Sequence, residues 1–415
     1  MNKTKKRFDM YRKPTKPKWY LKIVEFIAAP IYMWFCNGRV KTQKAVKKLK
    51  GPCLVLASHA SFMDFPMLVT GLLPKFTGWV MSVEEFRRGD WLMYGIGGMP
   101  KRKFTHDIVT ARHILYYIKQ LKQTCTIYPE ARFSLCGINE KLDGALGKLC
   151  KHAKVPVVLF KAYGNFINSP QWSKHPYRGI RQEAEISLLL TPEQMEKMSI
   201  NEVQSVIEKA FERDEYKWQV EKNYHTKCQN RADGLYRILY KCPACGTEFK
   251  TKSQGIHLWC EHCGSKWEMD TLSRLKGVNT DKGFSHIPDW YRWEREEVRK
   301  EVRSGNYKFE DQVRIEDYYS SSVGFIEVGD AKVVHDKNGF TIEGVVDDKP
   351  FTINKPVSSM YSLHIEYDFM NKGDAFDIAT DNTTYFMFPK TAFNCLTKLH
   401  FAQEELYDFY TEQNK

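Results

Sequence analysis

Short, strongly apolar runs punctuate the first half of the chain at Cys53 to Ala57, Thr124 to Tyr128 and Val155 to Phe160, the signature of strands buried in a parallel sheet. Between them, residues 106 to 121 set Ile108, Ala111, Leu115, Ile118 and Leu121 along one helical face, and Leu142 to His152 makes a second such segment. The alternation predicts an α/β domain that closes with a strand over Ile186 to Leu190 and a charged helical stretch from Pro192 to Trp218. In open sheets of this class ligands bind beyond the carboxyl ends of the strands. Two of the expected strands run directly into residues with chemistry to offer, His59 and Glu130.

Past residue 220 the pattern changes. Two cysteine pairs lie within 242 to 263, and Asp289 to Arg303 is so highly charged that it predicts a solvated connecting helix. From about 318 the chain breaks into short β-rich segments with turn signals: Gly324 to Val328, Ala331 to His335, Gly339 to Val346, Lys349 to Asn354, Ser362 to Asp368, Ala375 to Ala379 and Thr383 to Phe388. A helix over Ala392 to Tyr410 ends the chain. Seven strands and one closing helix resemble, in order alone, a pleckstrin-homology (PH) or GRAM-like barrel.

The first strongly apolar segment, Trp19 to Phe35, is interrupted by Lys22, Glu25 and Pro30 and is too short to span a bilayer, which needs about 20 apolar residues. Before it stand Lys3, Lys5, Lys6, Arg7, Arg12, Lys13, Lys16 and Lys18 against a single acid, Asp9. A basic flank beside an aromatic, moderately apolar helix predicts attachment to an anionic membrane surface, with a core helix as the bland alternative. No small-residue cleavage site follows, and the run leads into the basic stretch from Arg39 to Lys50, so the expected location is the cytoplasmic face of a membrane, peripheral or monotopic. The length of 415 residues predicts two to three domains, and a net charge of +13 implies an anionic partner without choosing among nucleic acid, phospholipid and an acidic carrier protein.

His59 and Asp64 are five residues apart, about 140° round a helix, so they can meet only if a helix begins between them, with Ser61 as its expected cap. A neutral imidazole can then take a proton from an alcohol while the carboxylate fixes its tautomer. Spacing alone is weak evidence in a chain with fifty acidic residues. His59-Ala-Ser-Phe-Met-Asp64 resembles the HxxxxD block of the glycerolipid acyltransferases that include the lysophosphatidic acid acyltransferases. Gly97-Gly98-Met-Pro-Lys-Arg102-Lys103, Tyr128-Pro-Glu130-Ala-Arg132-Phe-Ser134 and Val155-Pro-Val-Val158 follow in the order of that family's other blocks, and the resemblance covers roughly residues 20 to 215.

The resemblance implies His59 as general base, Asp64 as its orienter, and an acceptor site to which Arg102, Glu130, Arg132 and Ser134 contribute. Arg132, helped by Arg102, is expected to grip a phosphate, and Glu130 to accept a hydrogen bond from the acceptor hydroxyl. The implied reaction moves a fatty acyl group from acyl-CoA or acyl carrier protein to a hydroxyl of a lysophospholipid-like acceptor such as 1-acylglycerol 3-phosphate, with no catalytic metal. Two departures stand out. The family's arginine comes three residues after the glutamate, where this chain has Phe133, and its glycine is replaced by Ala131, so a different turn is expected there.

Cys242-Pro-Ala-Cys245 and Cys260-Glu-His-Cys263 have the spacing of two knuckles closing a structural zinc site, and the remaining cysteines read as buried thiols of a reducing compartment. The expected organisation is a basic tail and membrane anchor over 1–36, an acyltransferase domain over 37–220, a zinc ribbon over 236–272, a charged helical connector over 273–317 and a PH/GRAM-like barrel over 318–415. Two other classes compete: a zinc-ribbon nucleic-acid-binding protein and a non-catalytic lipid-binding adaptor. The first is disfavoured because the basic clusters are not interleaved with aromatics along the ribbon, the second because the His59 and Asp64 pair is retained.

Overall fold

The computed structural model describes residues 8–105, 107–320, 323–346, 348–380 and 383–414; Lys3, Lys5, Lys6 and Arg7 of the basic tail and His106 lie outside the described residues. Seven strands form the first sheet: β1 (Gly38–Thr42), β2 (Leu54–Ala57), β3 (Thr77–Ser82), β4 (Gly98–Lys101), β5 (Thr124–Ile127), β6 (Val157–Tyr163) and β7 (Gln182–Leu190), in the order β1-β7-β6-β2-β5-β3-β4. β2 is parallel to both its neighbours, β5 and β6, while β7 runs antiparallel to β6. All of β2 and β5 is buried, as continuous apolar runs require.

Alternate residues of β2 serve opposite faces of the sheet. Leu54 and Leu56 pack with the helices Ile108–Lys119, Leu146–Ala153 and Ile200–Phe211. Val55 and Ala57 pack with Asp64–Leu72 and, through Ala29, with Trp19–Phe35. Only Leu21 and Ala29 of that last helix are buried. β1, β3 and β4 lie outside the expected strands. At the sheet edge the reason is polarity: Arg39 and Lys41 alternate with the other residues of β1, whose positions are intermediate or exposed, so the strand offers no apolar run.

Strands β8 (Thr251–Gln254), β9 (His257–Cys260), β10 (Lys266–Met269) and β11 (Leu275–Gly277) make a small antiparallel sheet that carries the second cysteine pair. The helix Ile287–Arg303 corrects the expected solvated connector. It buries Trp290, Glu294, Val298 and Val302, and its Trp290 ring meets Trp267 of β10 at 4.9 Å. Trp290 Nε1 donates to the Lys241 carbonyl at 3.0 Å, and Glu294 accepts the Lys241 N–H at 2.7 Å, so one helix holds both backbone groups of the residue before Cys242. Burial pushes the Glu294 carboxyl well above its usual range, which keeps it neutral in this apolar setting.

The carboxyl-terminal region is a second seven-stranded sheet: β12 (Phe309–Ser320), β13 (Gly324–Asp336), β14 (Gly339–Val346), β15 (Lys349–Pro356), β16 (His364–Glu366), β17 (Ala375–Ala379) and β18 (Thr384–Pro389). Every neighbour in the order β15-β14-β13-β12-β18-β17-β16 is antiparallel, and the helix Leu396–Gln413 follows. The segments expected at Gly324 to Val328 and Ala331 to His335 are one strand, bent where Ile315 faces Gly329 but Glu316 faces Glu327. β12 is hidden in the sequence by its acids. Asp311 is satisfied by the N–H groups of Thr391 and Ala392, Glu316 by Lys372 at 2.7 Å, and Asp317 by the Thr383 hydroxyl.

A buried charge cluster joins the two large sheets. Arg132, whose side chain is 1% exposed, donates to Glu140 at 3.0 Å and to Glu404 of the last helix at 3.1 Å. It also donates to the Leu363 carbonyl at 2.8 Å and meets the His400 ring. Arg295 and Arg299 of Ile287–Arg303 complete the cluster by pairing with Glu404 and Glu405. Burial pushes Glu404 up, but His400, Arg295 and Arg132 beside it overcome this and hold the carboxyl well below its usual range. Burial and Arg132 in turn push the His400 ring well below its own. Glu140 goes the other way, burial pushing it up against the pull of Arg132. Truncating Arg132 strands Glu140 in a dry interface and leaves Glu404 with Arg295 alone, so Arg132→Ala should cost about 3–5 kcal/mol. Urea unfolding checks this, and the triple variant Arg132→Met, Glu140→Leu, Glu404→Met should recover most of the loss.

Candidate functional site

β2 and β5 are paired in parallel register, Leu56 beside Ile127, so the residues that leave their carboxyl ends emerge side by side. These are Ser58 and His59 from β2, and Tyr128, Pro129 and Glu130 from β5. The helix Asp64–Leu72 starts at Asp64 itself, which meets the requirement that a helix begin within the pair. Ser61 is not its formal cap, although its hydroxyl accepts the Met63 N–H at 3.2 Å.

His59 Nδ1 lies 3.2 Å from Asp64 Oδ2. The same oxygen accepts the N–H groups of Ala60 at 2.6 Å and Ser61 at 3.0 Å. Asp64 Oδ1 accepts from Asn165 Nδ2 at 2.6 Å. The carboxylate is fully buried, and all four of these partners are N–H donors rather than lysine or arginine. With the Nδ1 proton directed at Asp64, Nε2 keeps its lone pair on a ring whose side chain is 22% exposed. Tyr128 stacks on that ring at 3.9 Å and Phe133 packs against it at 4.3 Å.

The expected roles of Glu130, Arg132 and Ser134 do not fit their surroundings. Glu130 is fully buried and held by both arms of Arg213, at 2.7 and 2.9 Å, while its Oε2 accepts the His59 N–H at 2.9 Å. It fixes the backbone of His59 instead of receiving an acceptor hydroxyl. Arg132 points away from His59 into the carboxyl-terminal region, where its guanidinium is committed to Glu140 and Glu404. Ser134 is buried, its N–H donating to the His59 carbonyl at 2.9 Å and its hydroxyl to the Ile138 carbonyl at 2.7 Å. Arg102 follows β4, half-buried; its neighbour Lys103 reaches the His364 ring of β16 at 2.9 Å. Ala131 adopts φ +57, the left-handed conformation that glycine enters without cost.

Three contributors are not visible in the sequence. Asn165 is one, and the sharp turn that delivers it needs Gly164, where φ is +82 and a Cβ would meet the Arg181 carbonyl at 2.3 Å. Glu215 is another: it accepts the Phe166 N–H at 3.0 Å and so seats that turn, and burial pushes its carboxyl up to about 8. Arg213 is the third, within the stretch read as a charged helical segment, where it pairs with Glu130. A Gly-Asn pair directly after a buried strand is the one signal available.

An exposed apolar surface adjoins the site. The helix Trp19–Phe35 exposes Trp19 by 73% and Trp34 by 74%, along with Val24, Ile27 and Ile31. Its Tyr32 ring meets Phe62, the exposed residue midway between His59 and Asp64, at 6.0 Å. No helix among the described residues is long and apolar enough to cross a membrane. The described part of the basic tail is docked on the protein, with Met10 buried against Val83 and Tyr318 and Arg12 over the Tyr94 ring at 4.0 Å.

Cys242, Cys245, Cys260 and Cys263 bring their four sulfurs within 4.8 Å of one another, a cluster that could hold a metal ion. Sulfurs bound about 2.3 Å from one tetrahedral zinc lie about 3.8 Å apart. Cys242 and Cys263 are 3.7 Å apart and Cys245 and Cys260 are 3.9 Å apart, so the donor set fits such an ion. The other cysteines are free thiols.

No family model matches the chain, and no curated protein matches it. Among solved structures, the chain is similar to the 1-acyl-sn-glycerophosphate (LPA) acyltransferase PlsC from Thermotoga maritima, at 17% identity and a TM-score of 0.39, over 49% of this chain and 80% of that one.

Proposed function

We propose that the chain is an interfacial O-acyltransferase in which His59 is the general base and Asp64 its orienter. The observation that carries this is the 3.2 Å contact from His59 Nδ1 to a buried carboxylate, which leaves Nε2 as the nitrogen available for proton transfer on a strand-end imidazole whose side chain is 22% exposed. In the proposed step Nε2 takes the proton of a lipid hydroxyl as the oxygen attacks a thioester carbonyl of acyl-CoA or acyl carrier protein. The tetrahedral adduct collapses, the C–S bond breaks, and the imidazolium returns its proton to the leaving thiolate. Product ester and free thiol balance the reaction, with no enzyme nucleophile and no catalytic metal. Asp64 steadies the imidazolium through Nδ1.

The acceptor is proposed to arrive from a membrane surface on the cytoplasmic face. Support comes from the exposed rings of Trp19–Phe35 and from Phe62, which carry that apolar surface to the motif itself. For the carboxyl-terminal region we propose a PH/GRAM-like barrel, because four strands, then three, then a closing helix match that order. Zinc is the proposed metal of the four thiolates, in a closed structural role.

With labelled acyl donors and a panel of lipid alcohols, His59→Ala should lower kcat by about 10²–10⁴-fold. Equal turnover by the variant would remove His59 as the base, and vesicle binding with no turnover by either chain would favour the adaptor reading. Wild-type chain should bind anionic vesicles in a salt-sensitive way, and Trp19→Glu with Trp34→Glu should weaken that binding by about tenfold or more, as lost burial of two indoles requires. Elemental analysis should find one zinc per chain, lost in Cys242→Ser together with cooperative thermal unfolding of the region around Trp290.

A further inference from the structure

Resting on the acyl-transfer reading of the His59 site, we infer that its acceptor is an uncharged lipid alcohol, one with no phosphate monoester beside the reacting hydroxyl. The electrostatics come first. Asp64 is a buried carboxylate whose partners are the Ala60 and Ser61 N–H groups, the Asn165 amide and His59. None of these brings a fixed positive charge, so Asp64 is balanced only while His59 holds a second proton. Of the other carboxyls nearby, Glu130 is matched by Arg213, which leaves no positive charge to spare, and burial pushes Glu215 up to about 8. A phosphate dianion docked here would meet a site that is already negative.

Two of the cations in the blocks that follow the His59 motif are engaged elsewhere. Arg132 is buried between Glu140 and Glu404, and the Lys103 ammonium lies against His364. At the position where the family pattern carries its arginine stands Phe133, packed on the His59 ring at 4.3 Å. Around the imidazole the side chains form an aromatic wall: Tyr128 against His59, Trp79 stacked beyond Tyr128 at 6.3 Å, and Phe65 against Trp79 at 4.8 Å. Phe62 then leads out to the exposed helix at Tyr32. Among the described residues of this wall, the polar atoms left without a partner are Tyr128 Oη and Trp79 Nε1. Both are neutral groups, suited to hydroxyl or ester oxygens and not to a dianion. A monoacylglycerol or similar neutral alcohol fits such a surface.

The test uses the full chain in mixed micelles. Turnover by wild-type and Phe133→Arg is measured with oleoyl-CoA and either 1-monooleoylglycerol or 1-oleoylglycerol 3-phosphate. Separately, binding of each radiolabelled lipid to immobilised His59→Ala is measured without donor. Expected are a preference of tenfold or more for monooleoylglycerol in both kcat/KM and binding, and a shift of that ratio of tenfold or more toward the phosphate in Phe133→Arg. Equal or tighter binding of the phosphate to His59→Ala, binding of neither lipid, or an unchanged ratio in a folded Phe133→Arg overturns the inference. Preferred turnover of the phosphate overturns it too, while leaving acyl transfer intact. Selective binding of monooleoylglycerol with no turnover does the reverse: it supports the acceptor class and sinks the reaction. Should Phe133→Arg not fold, the His59→Ala binding ratio decides alone.

Discussion

The turn from β2 into Asp64–Leu72 is built to satisfy one buried carboxylate that has no lysine or arginine partner. A charge of that kind is tolerable only when hydrogen bonds replace its lost water. Asp64 draws them from the backbone of its own turn and, across the sheet, from Asn165 at the end of β6. Those demands fix the turn. They also leave the fourth bond to the His59 ring, so the imidazole is oriented by the same contacts that make the buried charge stable. Gly164 and Glu215 matter for the same reason, since they shape the turn that presents Asn165.

The loop after β5 holds the histidine by its main chain. Glu130 accepts the His59 N–H and Ser134 donates to the His59 carbonyl, so this loop grips both backbone groups of the histidine. Ala131 adopts a left-handed conformation although it carries a Cβ. The Arg132 side chain reaches Glu404 of the last helix, and Phe133 packs on the imidazole, so the residue beside the base is a ring and not a cation.

Buried strands are legible because apolar runs leave little choice, and β2, β5 and β6 fall where the runs predict, within a few residues at their ends. The four cysteines are legible because their spacing has few other uses, and the structure brings their sulfurs together. What stays hidden is polar and long-range. β12 looks like loop because Asp311, Glu316 and Asp317 are buried acids whose partners lie 56 to 81 residues away. Arg132 looks available for phosphate because Glu404 is 272 residues distant. The helix Ile287–Arg303 looks solvated because its arginines find Glu404 and Glu405 only once the last helix is in place. A sequence shows which charges are present, while their partners are a property of the fold.

Those same partners explain why one core runs through regions that the sequence separates. A continuous buried cluster passes from Ala60 and Leu135 beside the site, through Leu258 and Trp267 of the cysteine-bearing sheet, to Phe376 and Leu399. Along it, Ile287–Arg303 holds the backbone before Cys242 at one end and pairs with Glu404 further on, and Glu404 in turn holds Arg132. The loop that grips His59 is therefore anchored from both sides, by Arg213 within its own sheet region and by the last helix across the interface. A loop so restrained has surrendered its conformational entropy at folding, before any ligand arrives. For a general base this is the useful order of events, because an imidazole already aimed needs no further ordering when the hydroxyl and the thioester meet.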